Sequence, residues 1–248
     1  MNETKIEWVK NPDGSPGYTS NPVRGDCPVG CPYCYVKPFR ARYGWHKDIR
    51  FYPSELEAIC KRKKPAGIFV GSTIELFHDK TIQYMAETMD TIKGCPQHRF
   101  YLLTKQPAQL RKFSPFPDNC YVGVTACNFK MMDNALYYLG EIEAKVKYLS
   151  LEPLLEAIPF NCIPIERLAY CGIDWLIIGA QTKPAVLPKI EWVQEIVKAA
   201  DKAGIPVFLK DNLLELVNYH SPDTDFAFDS EGCYRQEMPE EVKQCKES

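Results

Sequence analysis

Several features that mark other protein classes are missing from this chain of 248 residues. No apolar run approaches the roughly 20 residues that a membrane-spanning helix needs, which argues against a membrane protein. The first residues, Met-Asn-Glu-Thr-Lys-Ile-Glu-Trp, include acids and lack the apolar stretch of a signal peptide. The formal net charge of −2 provides no overall basic field for non-specific nucleic-acid binding. The sequence has no internal repeat, and its 45% hydrophobic residues are enough for a sizeable core.

The chain is rich in cysteine, but the cysteines do not suggest a disulfide framework. Eleven is an odd number, and no export signal precedes them. Unpaired thiols of this number are typical of a reducing compartment. We therefore expect a cytoplasmic protein.

Three of the cysteines are closely spaced. Cys27, Cys31 and Cys34 follow the pattern C-x3-C-x2-C. Clusters of the [4Fe–4S] type are ordinarily held by four thiolates, so three would leave one iron open to a reactant. A structural zinc site is the alternative, but it needs four N or S ligands. The nearest fourth candidates, His46 and Cys60, do not fall at a usual zinc spacing.

The apolar pattern predicts an α/β protein in which strands alternate with helices. Six short, nearly continuous apolar runs are typical of strands buried on both faces of a parallel sheet. They are residues 67–71, 99–104, 120–125, 146–151, 175–179 and 205–210. A further strand is expected at 18–23, and this order of elements predicts a partial or full βα barrel.

Helices are expected between the strands. Residues 54–61 begin with a capping signal at Ser54, residues 82–89 form the next helix, and residues 190–203 end at Gly204. The polar, acidic tail from Ser221 is expected to pack loosely or to be partly disordered.

The cysteine motif resembles that of the radical S-adenosylmethionine (SAM) superfamily. Tyr33 and Tyr35 flank Cys34, as aromatic residues do in that motif. The resemblance implies a [4Fe–4S] cluster whose fourth iron binds SAM. It also implies reductive cleavage of SAM to methionine and a 5′-deoxyadenosyl radical. The expected fold is a partial (βα)6 TIM barrel over residues 1–215, extended by the strand at 18–23, with a short irregular extension over 216–248.

Further segments resemble a phage- and prokaryote-associated radical SAM family that is known mainly by its three-cysteine motif. These segments are Ile6-Glu7-Trp8, Asn21-Pro22-Val23-x-Gly25, Leu76-Phe77-His78, Leu103-Thr104-Lys105 and Ser150–Leu155. The chain departs from the family at two places. Ser20 stands where the family has Trp, and residues 179–182 read Gly-Ala-Gln-Thr where Gly-Gly-Glu-Ser is usual.

The resemblance, together with the rule that βα barrels carry function at the carboxyl ends of strands, implies a set of site residues. The metal ligands are Cys27, Cys31 and Cys34. The residues expected to bind SAM are Tyr33, Gly71, Ser72, Thr73, Glu75, Thr125, Ser150, Glu152, Gly179 and Ala180. The residues expected to act in catalysis are Lys105, Glu152 and Lys210.

Each of these assignments has a structural alternative. The segment 71–75 would otherwise be an ordinary turn between a strand and a helix. Lys105 would otherwise be a solvated side chain. In a functional role, Lys105 could form with Lys210 and Arg24 a cationic floor for an anionic substrate. Glu152, at the end of a strand, would otherwise form an ion pair with Lys105 or Lys210.

We expect the enzyme to abstract hydrogen from a substituent of a nucleotide or nucleic-acid base, for modification or isomerisation. A hypermodified thymine of phage DNA is one example, and the warrant for it is the family analogy. A flavodoxin- or ferredoxin-like electron donor is implied, and no membrane partner is expected. Two alternatives stay open: a radical SAM enzyme on a small metabolite such as an amino acid, and a non-enzymatic module that binds metal and nucleic acid.

Overall fold

The computed structural model has a mixed α/β fold with a mostly parallel main sheet of eight strands, which confirms the predicted class. The structure describes residues 1–160, 165–219 and 224–239. The chain divides into two compact units. The first contains residues 1–123 and 142–145, and the second contains residues 124–141 and 146–248.

The first unit contributes parallel strands to the sheet. Its strands are β1 (Asn2–Glu3), β2 (Tyr18–Ser20), β3 (Val23–Arg24), β4 (Arg50–Phe51), β5 (Gly67–Val70) and β6 (Arg99–Thr104). Strand β2 is parallel to β5, and β5 is parallel to β6, whereas β1 pairs antiparallel with β2. Strands β3 and β4 form a separate antiparallel ribbon. Strand β7 (Cys120–Thr125) belongs in part to each unit.

Three α-helices and two 3₁₀ helices complete the first unit. They are α1 (Val36–Tyr43), α2 (Pro53–Lys61), the 3₁₀ helix Ile82–Tyr84, α3 (Met85–Gly94) and the 3₁₀ helix Pro107–Phe113. Aromatic rings fill much of the core. Trp8 lies 5.1 Å from Phe69 and 5.7 Å from Tyr101, and Tyr101 lies 5.4 Å from Tyr121, measured between ring centroids. These contacts fix the segment before β2 against the strands that lead to the candidate site.

The second unit has its own set of parallel strands. They are β8 (Val146–Leu151), β9 (Trp175–Ile178) and β12 (Val207–Leu209), with a short hairpin of β10 (Gln181–Thr182) and β11 (Ala185–Val186). Strand β9 lies parallel to β8 on one side and to β12 on the other. The described helices are α4 (Phe129–Leu139), α5 (Ile165–Tyr170), α6 (Ile190–Ala203), α7 (Leu214–Tyr219) and the 3₁₀ helices Asp211–Leu213 and Asp225–Ala227.

The six predicted apolar strands are confirmed with small changes at their ends. Helix α6 has the predicted bounds, and Gly204 ends it with a left-handed φ of +66°. Three expectations about element bounds were wrong. The helix expected at 82–89 is a 3₁₀ helix over Ile82–Tyr84 followed by α3 over Met85–Gly94. The helix expected from Ser54 begins one residue earlier, because Pro53 occupies its first turn and Tyr52 is the N-cap. The strand expected at 18–23 ends at Ser20.

The expectation of a loosely packed tail is wrong for residues 224–239. Arg235 is only 8% exposed and forms ion pairs with Asp201 and Glu237. The Trp175 indole donates to the Glu237 carbonyl at 2.8 Å, and the Leu209 amide donates to the Arg235 carbonyl at 2.8 Å. This segment therefore packs on β12. The rest of the expected tail, 221–223 and 240–248, lies outside the described residues.

Helices α1 to α7 are all too short or too polar to cross a bilayer, as far as the described residues go. The expected division at residue 215 stays a prediction.

Candidate functional site

The cysteine motif lies in one loop of the first unit, between β3 and α1. Cys27, Cys31 and Cys34 are all partly exposed, and none of the described cysteines forms a disulfide. Within the loop the Cys34 amide donates to the Cys31 carbonyl at 3.3 Å. Gly30 adopts a φ of +65°, a left-handed conformation that favours glycine, where the chain turns between the first and second cysteines. The loop thus presents three thiols from one short, turned segment.

One thiol of the loop accepts a hydrogen bond from the main chain. The backbone N–H of Glu75 donates to the Sγ of Cys27 at 3.4 Å. Hydrogen bonds to the sulfur ligands are among the factors that set the reduction potential of iron–sulfur clusters. This contact joins the cysteine loop to the loop that follows β5.

The three thiols could hold either a single metal ion or an iron–sulfur cluster. Across residues 1–160, 165–219 and 224–239, no group of three or more His, Cys, Asp or Glu side chains is placed to hold a single metal ion. In an iron–sulfur cube each thiolate ligates its own iron, so the ligands need not meet at one point. The chemistry and partial exposure of the three thiols fit such a cluster.

The two candidate fourth zinc ligands are engaged elsewhere in the first unit. His46 has hydrogen-bond partners at both ring nitrogens, the Asp48 carbonyl at 2.9 Å and the Tyr52 hydroxyl at 2.7 Å. The Sγ of Cys60 lies 3.7 Å from the Sγ of Cys95. These contacts give the zinc alternative no support.

The loop after β5 carries the residues expected to hold the SAM amino group. Gly71 has a φ of +81°, and this left-handed turn directs Ser72 and Thr73 toward Asn21. The Asn21 Oδ1 accepts hydrogen bonds from the Ser72 Oγ at 3.2 Å, the Thr73 amide at 3.2 Å and the Thr73 Oγ1 at 3.1 Å. The segment is therefore held in one conformation.

Two residues from the cysteine side reach the same segment. The Tyr35 hydroxyl donates to the Ser72 carbonyl at 2.8 Å, and the Arg40 guanidinium donates to the Thr73 carbonyl at 3.0 Å. Sequence reasoning did not assign these roles to Tyr35 or Arg40. The one available signal was their position immediately after the last motif cysteine and in the helix that follows.

Glu75, which was expected to bind SAM, has its carboxylate occupied by the chain itself. It is 8% exposed. Its Oε1 accepts from the Thr104 hydroxyl at 2.7 Å and the Phe77 amide at 3.0 Å, and its Oε2 accepts from the Lys105 amide at 2.7 Å. Glu75 therefore connects the loop after β5 to the end of β6. Its role toward SAM stays a prediction, as does that of the half-buried Tyr33.

In the second unit, Glu152 pairs with Lys210, one of the two lysines considered as its ion-pair partner if it does not bind a ligand. The Lys210 Nζ and the Glu152 Oε1 form a close ion pair in which the side chains are 12% and 24% exposed. A Cβ on Gly179 would stand 2.9 Å from the Lys210 Cδ and 3.3 Å from the Glu152 Cγ. Glycine at this position therefore allows the ion pair to cross close to the backbone at the end of β9.

An asparagine that sequence reasoning left without a role holds the loop after β9. The Asn212 Oδ1 accepts from the Ala180 amide at 3.0 Å, and its Nδ2 donates to the Ala180 carbonyl at 2.9 Å. Thr125 and Ser150 are each 1% exposed, at the ends of β7 and β8. Lys105 and Arg24 lie in the first unit and Lys210 in the second, and their expected common floor stays a prediction.

Comparison with known families gives one match. The model of a family described as "Protein of unknown function (DUF5131)" matches residues 3–215. The chain belongs to the DUF5131 family. No curated protein matches the chain.

The DUF5131 match covers every residue expected to act in the site, from Cys27 to Lys210. It includes the three cysteines, the Asn21 network and the Glu152–Lys210 pair. The segment 224–239 that packs on β12 lies beyond the part matched to DUF5131.

Proposed function

We propose that this DUF5131 protein is a radical SAM enzyme with a partial (βα)6 barrel. The observation that carries the proposal is the single loop with three partly exposed thiols, one of which accepts a main-chain N–H. Parallel pairing within each unit supports the barrel, with β2, β5 and β6 in the first and β8, β9 and β12 in the second. When bound, a [4Fe–4S] cluster supplies the electron that cleaves SAM to methionine and a 5′-deoxyadenosyl radical.

The residues of the first unit have defined tasks under this proposal. Cys27, Cys31 and Cys34 would hold the cluster through thiolates, and the Glu75 N–H would moderate the negative charge on the Cys27 sulfur. The hydroxyls of Ser72 and Thr73 would face the amino group of SAM. Their bonds to Asn21 fix the segment before the ligand arrives, which reduces the entropy lost on binding.

The residues of the second unit would act on the adenosine side and on charge. Glu152 would accept hydrogen bonds from a cofactor ammonium or ribose, and Lys210 would hold that carboxylate in place through their ion pair. Gly179 and Ala180 would let the backbone approach the adenine, because glycine adds no side chain and Asn212 holds the loop. Ser150 and Thr125 would support the same ligand from the ends of β8 and β7.

We further propose that the substrate is a nucleotide or a nucleic-acid base, from which hydrogen is abstracted for modification or isomerisation. The support is the resemblance of the sequence to a phage-associated radical SAM family, which is a warrant by analogy. An exchangeable donor, flavodoxin- or ferredoxin-like, would supply the electron.

The first test is reconstitution under anaerobic conditions. Iron and sulfide analysis should give about four of each per chain, with a brown protein that forms 5′-deoxyadenosine from SAM and a strong reductant. Cys27→Ala, Cys31→Ala and Cys34→Ala should each abolish 5′-deoxyadenosine formation while leaving the far-UV circular dichroism spectrum unchanged. Cys233→Ala is the control, because Cys233 is exposed and lies outside the loop.

A colourless protein that carries zinc, or SAM cleavage that survives removal of Cys27, would refute the enzyme proposal. The substrate is tested separately. Modified nucleotides and oligonucleotides should raise 5′-deoxyadenosine above the level formed without substrate, whereas a rise only with amino acids would support the small-metabolite alternative.

A further inference from the structure

The first unit contains a pocket of about 350 Å³ beside the cysteine loop. The described residues that line it include Arg24 and Gly25, directly before the motif, and Arg40, in the helix directly after it. Thr73 and Asn21 line the pocket as well. Small-molecule sites usually occupy about 300–1,000 Å³, so the volume admits one compact ligand.

Two arginines of the pocket are held in place by acids. The Arg24 Nη2 lies 2.5 Å from the Glu55 Oε1, and its Nε donates to the Asn21 carbonyl at 3.3 Å. The Arg40 Nη1 lies 2.8 Å from the Asp26 Oδ1, and its Nη2 donates to the Thr73 carbonyl. A guanidinium has five N–H donors, so these contacts leave donors on both arginines for a ligand.

The charges around the pocket are two arginines and two carboxylates. Arg24 pairs with Glu55, and Arg40 pairs with Asp26. Burial raises the pKa of Glu55, but the hydrogen bond and charge of the Met1 ammonium, with the Asn21 amide and Arg24, lower it overall. Glu55 therefore stays ionised and occupied by its own partners. The guanidinium N–H donors that these ion pairs leave unused favour an anionic ligand.

Aromatic rings form another part of the lining. The Tyr52 hydroxyl donates to the His46 Nε2 at 2.7 Å, and the Arg24 guanidinium lies 4.7 Å from the Tyr52 ring centroid. These contacts fix the Tyr52 ring. Trp45, which is 46% exposed, supplies a second aromatic surface. Aromatic faces of this kind stack on nucleobases.

We propose that this pocket binds a nucleotide, with the phosphate on Arg24 and Arg40 and the base against Trp45 and Tyr52. Two guanidiniums suit the oxygens of a phosphate group, and rings beside them suit the base. As the substrate pocket of a radical enzyme, the site rests on the proposed function. As a binding site it requires neither cluster nor SAM, so the two ideas can fail separately.

The test is calorimetric titration of the full-length protein, with and without reconstituted cluster. The probes are thymidine 5′-monophosphate, thymidine, inorganic phosphate and a short single-stranded oligothymidylate. The monophosphate should bind at least tenfold more tightly than thymidine or phosphate alone, in both forms of the protein. If the oligothymidylate binds more tightly than the monophosphate, the natural ligand is a nucleotide within a strand. If it binds equally or more weakly, the natural ligand is a free nucleotide. Both results support nucleotide binding in the pocket.

Variants assign the binding to the pocket. Arg24→Gln and Arg40→Gln should each weaken monophosphate binding about tenfold, since each removes a charge-assisted contact. Trp45→Ala should weaken the monophosphate severalfold without changing phosphate binding. Arg42→Gln, an exposed position on the same helix α1, is the control and should leave every affinity unchanged.

Three results would overturn the proposal. They are no binding of the monophosphate at millimolar concentration, equal binding of phosphate and monophosphate, and binding that Arg24→Gln and Arg40→Gln leave unchanged. If an arginine variant unfolds, Arg24→Lys or Arg40→Lys replaces it. Lysine keeps the charge and loses the forked donor set, so a weaker but measurable affinity is expected. If the wild-type protein binds the monophosphate but does not cleave SAM, the proposed function is refuted and the nucleotide-binding pocket is not.

Discussion

Replacing Glu75 with Gln tests the idea that this carboxylate stabilises the fold. The wild-type side chain is buried and accepts three hydrogen bonds from the chain. In Glu75→Gln one acceptor oxygen becomes an NH2 group. In one orientation of the amide that group opposes the Lys105 N–H, and in the other it opposes the Phe77 N–H. Both orientations place two donors against each other in a buried site, and both remove the charge that strengthened the remaining bonds.

The magnitude follows from these contacts. Losing a charge-assisted bond and leaving a buried donor unpaired together cost about 2–4 kcal/mol of unfolding free energy. For a chain of this size each kcal/mol corresponds to about 2–4 °C in Tm, so we expect a fall of about 5–15 °C. Thermal unfolding followed by far-UV circular dichroism, without cofactor, measures it.

The control is Glu57→Gln. Glu57 pairs with Lys61 on the exposed face of α2, where both side chains are more than half exposed. Such a pair contributes only a few tenths of a kcal/mol, so the control should melt within about 2 °C of the wild type. Should Glu75→Gln melt like the control and lose only SAM binding, the reasoning is refuted and the residue is a cofactor ligand.

Three further predictions concern single side chains. Burial, followed by the neighbouring Cys60 thiol, raises the pKa of Cys95 to about 11. At pH 7.5 iodoacetamide should therefore alkylate the exposed Cys233 well before Cys95, which mass spectrometry of peptides measures. Gly179→Ala places a methyl 2.9 Å from the Lys210 Cδ and should lower the free energy of unfolding, measured in urea, by about 1–3 kcal/mol. Gly232→Ala is the comparison: a Cβ there contacts no other atom, so the variant measures only the cost of a left-handed φ for alanine. Burial lowers the pKa of His98, so the unfolded chain binds its proton more readily and stability should fall as the pH drops below about 6.5. His98→Phe should flatten urea stability between pH 7 and 5, and an unchanged slope would contradict this assignment.

The sheet was predictable because local pattern determines it. A fully buried parallel strand needs apolar residues on both faces, so runs such as 67–71 and 175–179 identified β5 and β9 without knowledge of the rest. Helix α6 was equally clear, since one apolar face and a terminal Gly204 define its ends. The start of α2 was placed one residue too late, because Ser54 was taken as the capping residue although Pro53 is a stronger signal for the first helical turn.

The site was predictable only in part. The three cysteines are close in sequence, and Lys210 was one of two partners considered for Glu152. The bonds from Asn21 to Ser72 and Thr73 connect residues about fifty positions apart and depend on β2 lying beside β5. No local pattern contains that register, so the role of Asn21 could not be derived from the sequence.

The packed segment 224–239 was missed for a related reason. Its composition is polar, which is typical of loose tails. Arg235 nevertheless becomes buried, because Asp201 and Glu237 compensate its charge. Composition cannot show that two carboxylates from different elements will surround one cation.

The partner of the Cys27 sulfur is a peptide group, not a side chain. Every amino acid except proline carries the same N–H, so nearly all replacements at position 75 would preserve the proton directed at that sulfur. The hydrogen bond to the Cys27 sulfur therefore depends on the path of the main chain and not on the side chain at position 75. Natural drift can alter the carboxylate at this position and its link to β6, while the sulfur keeps its donor as long as the chain follows the same course.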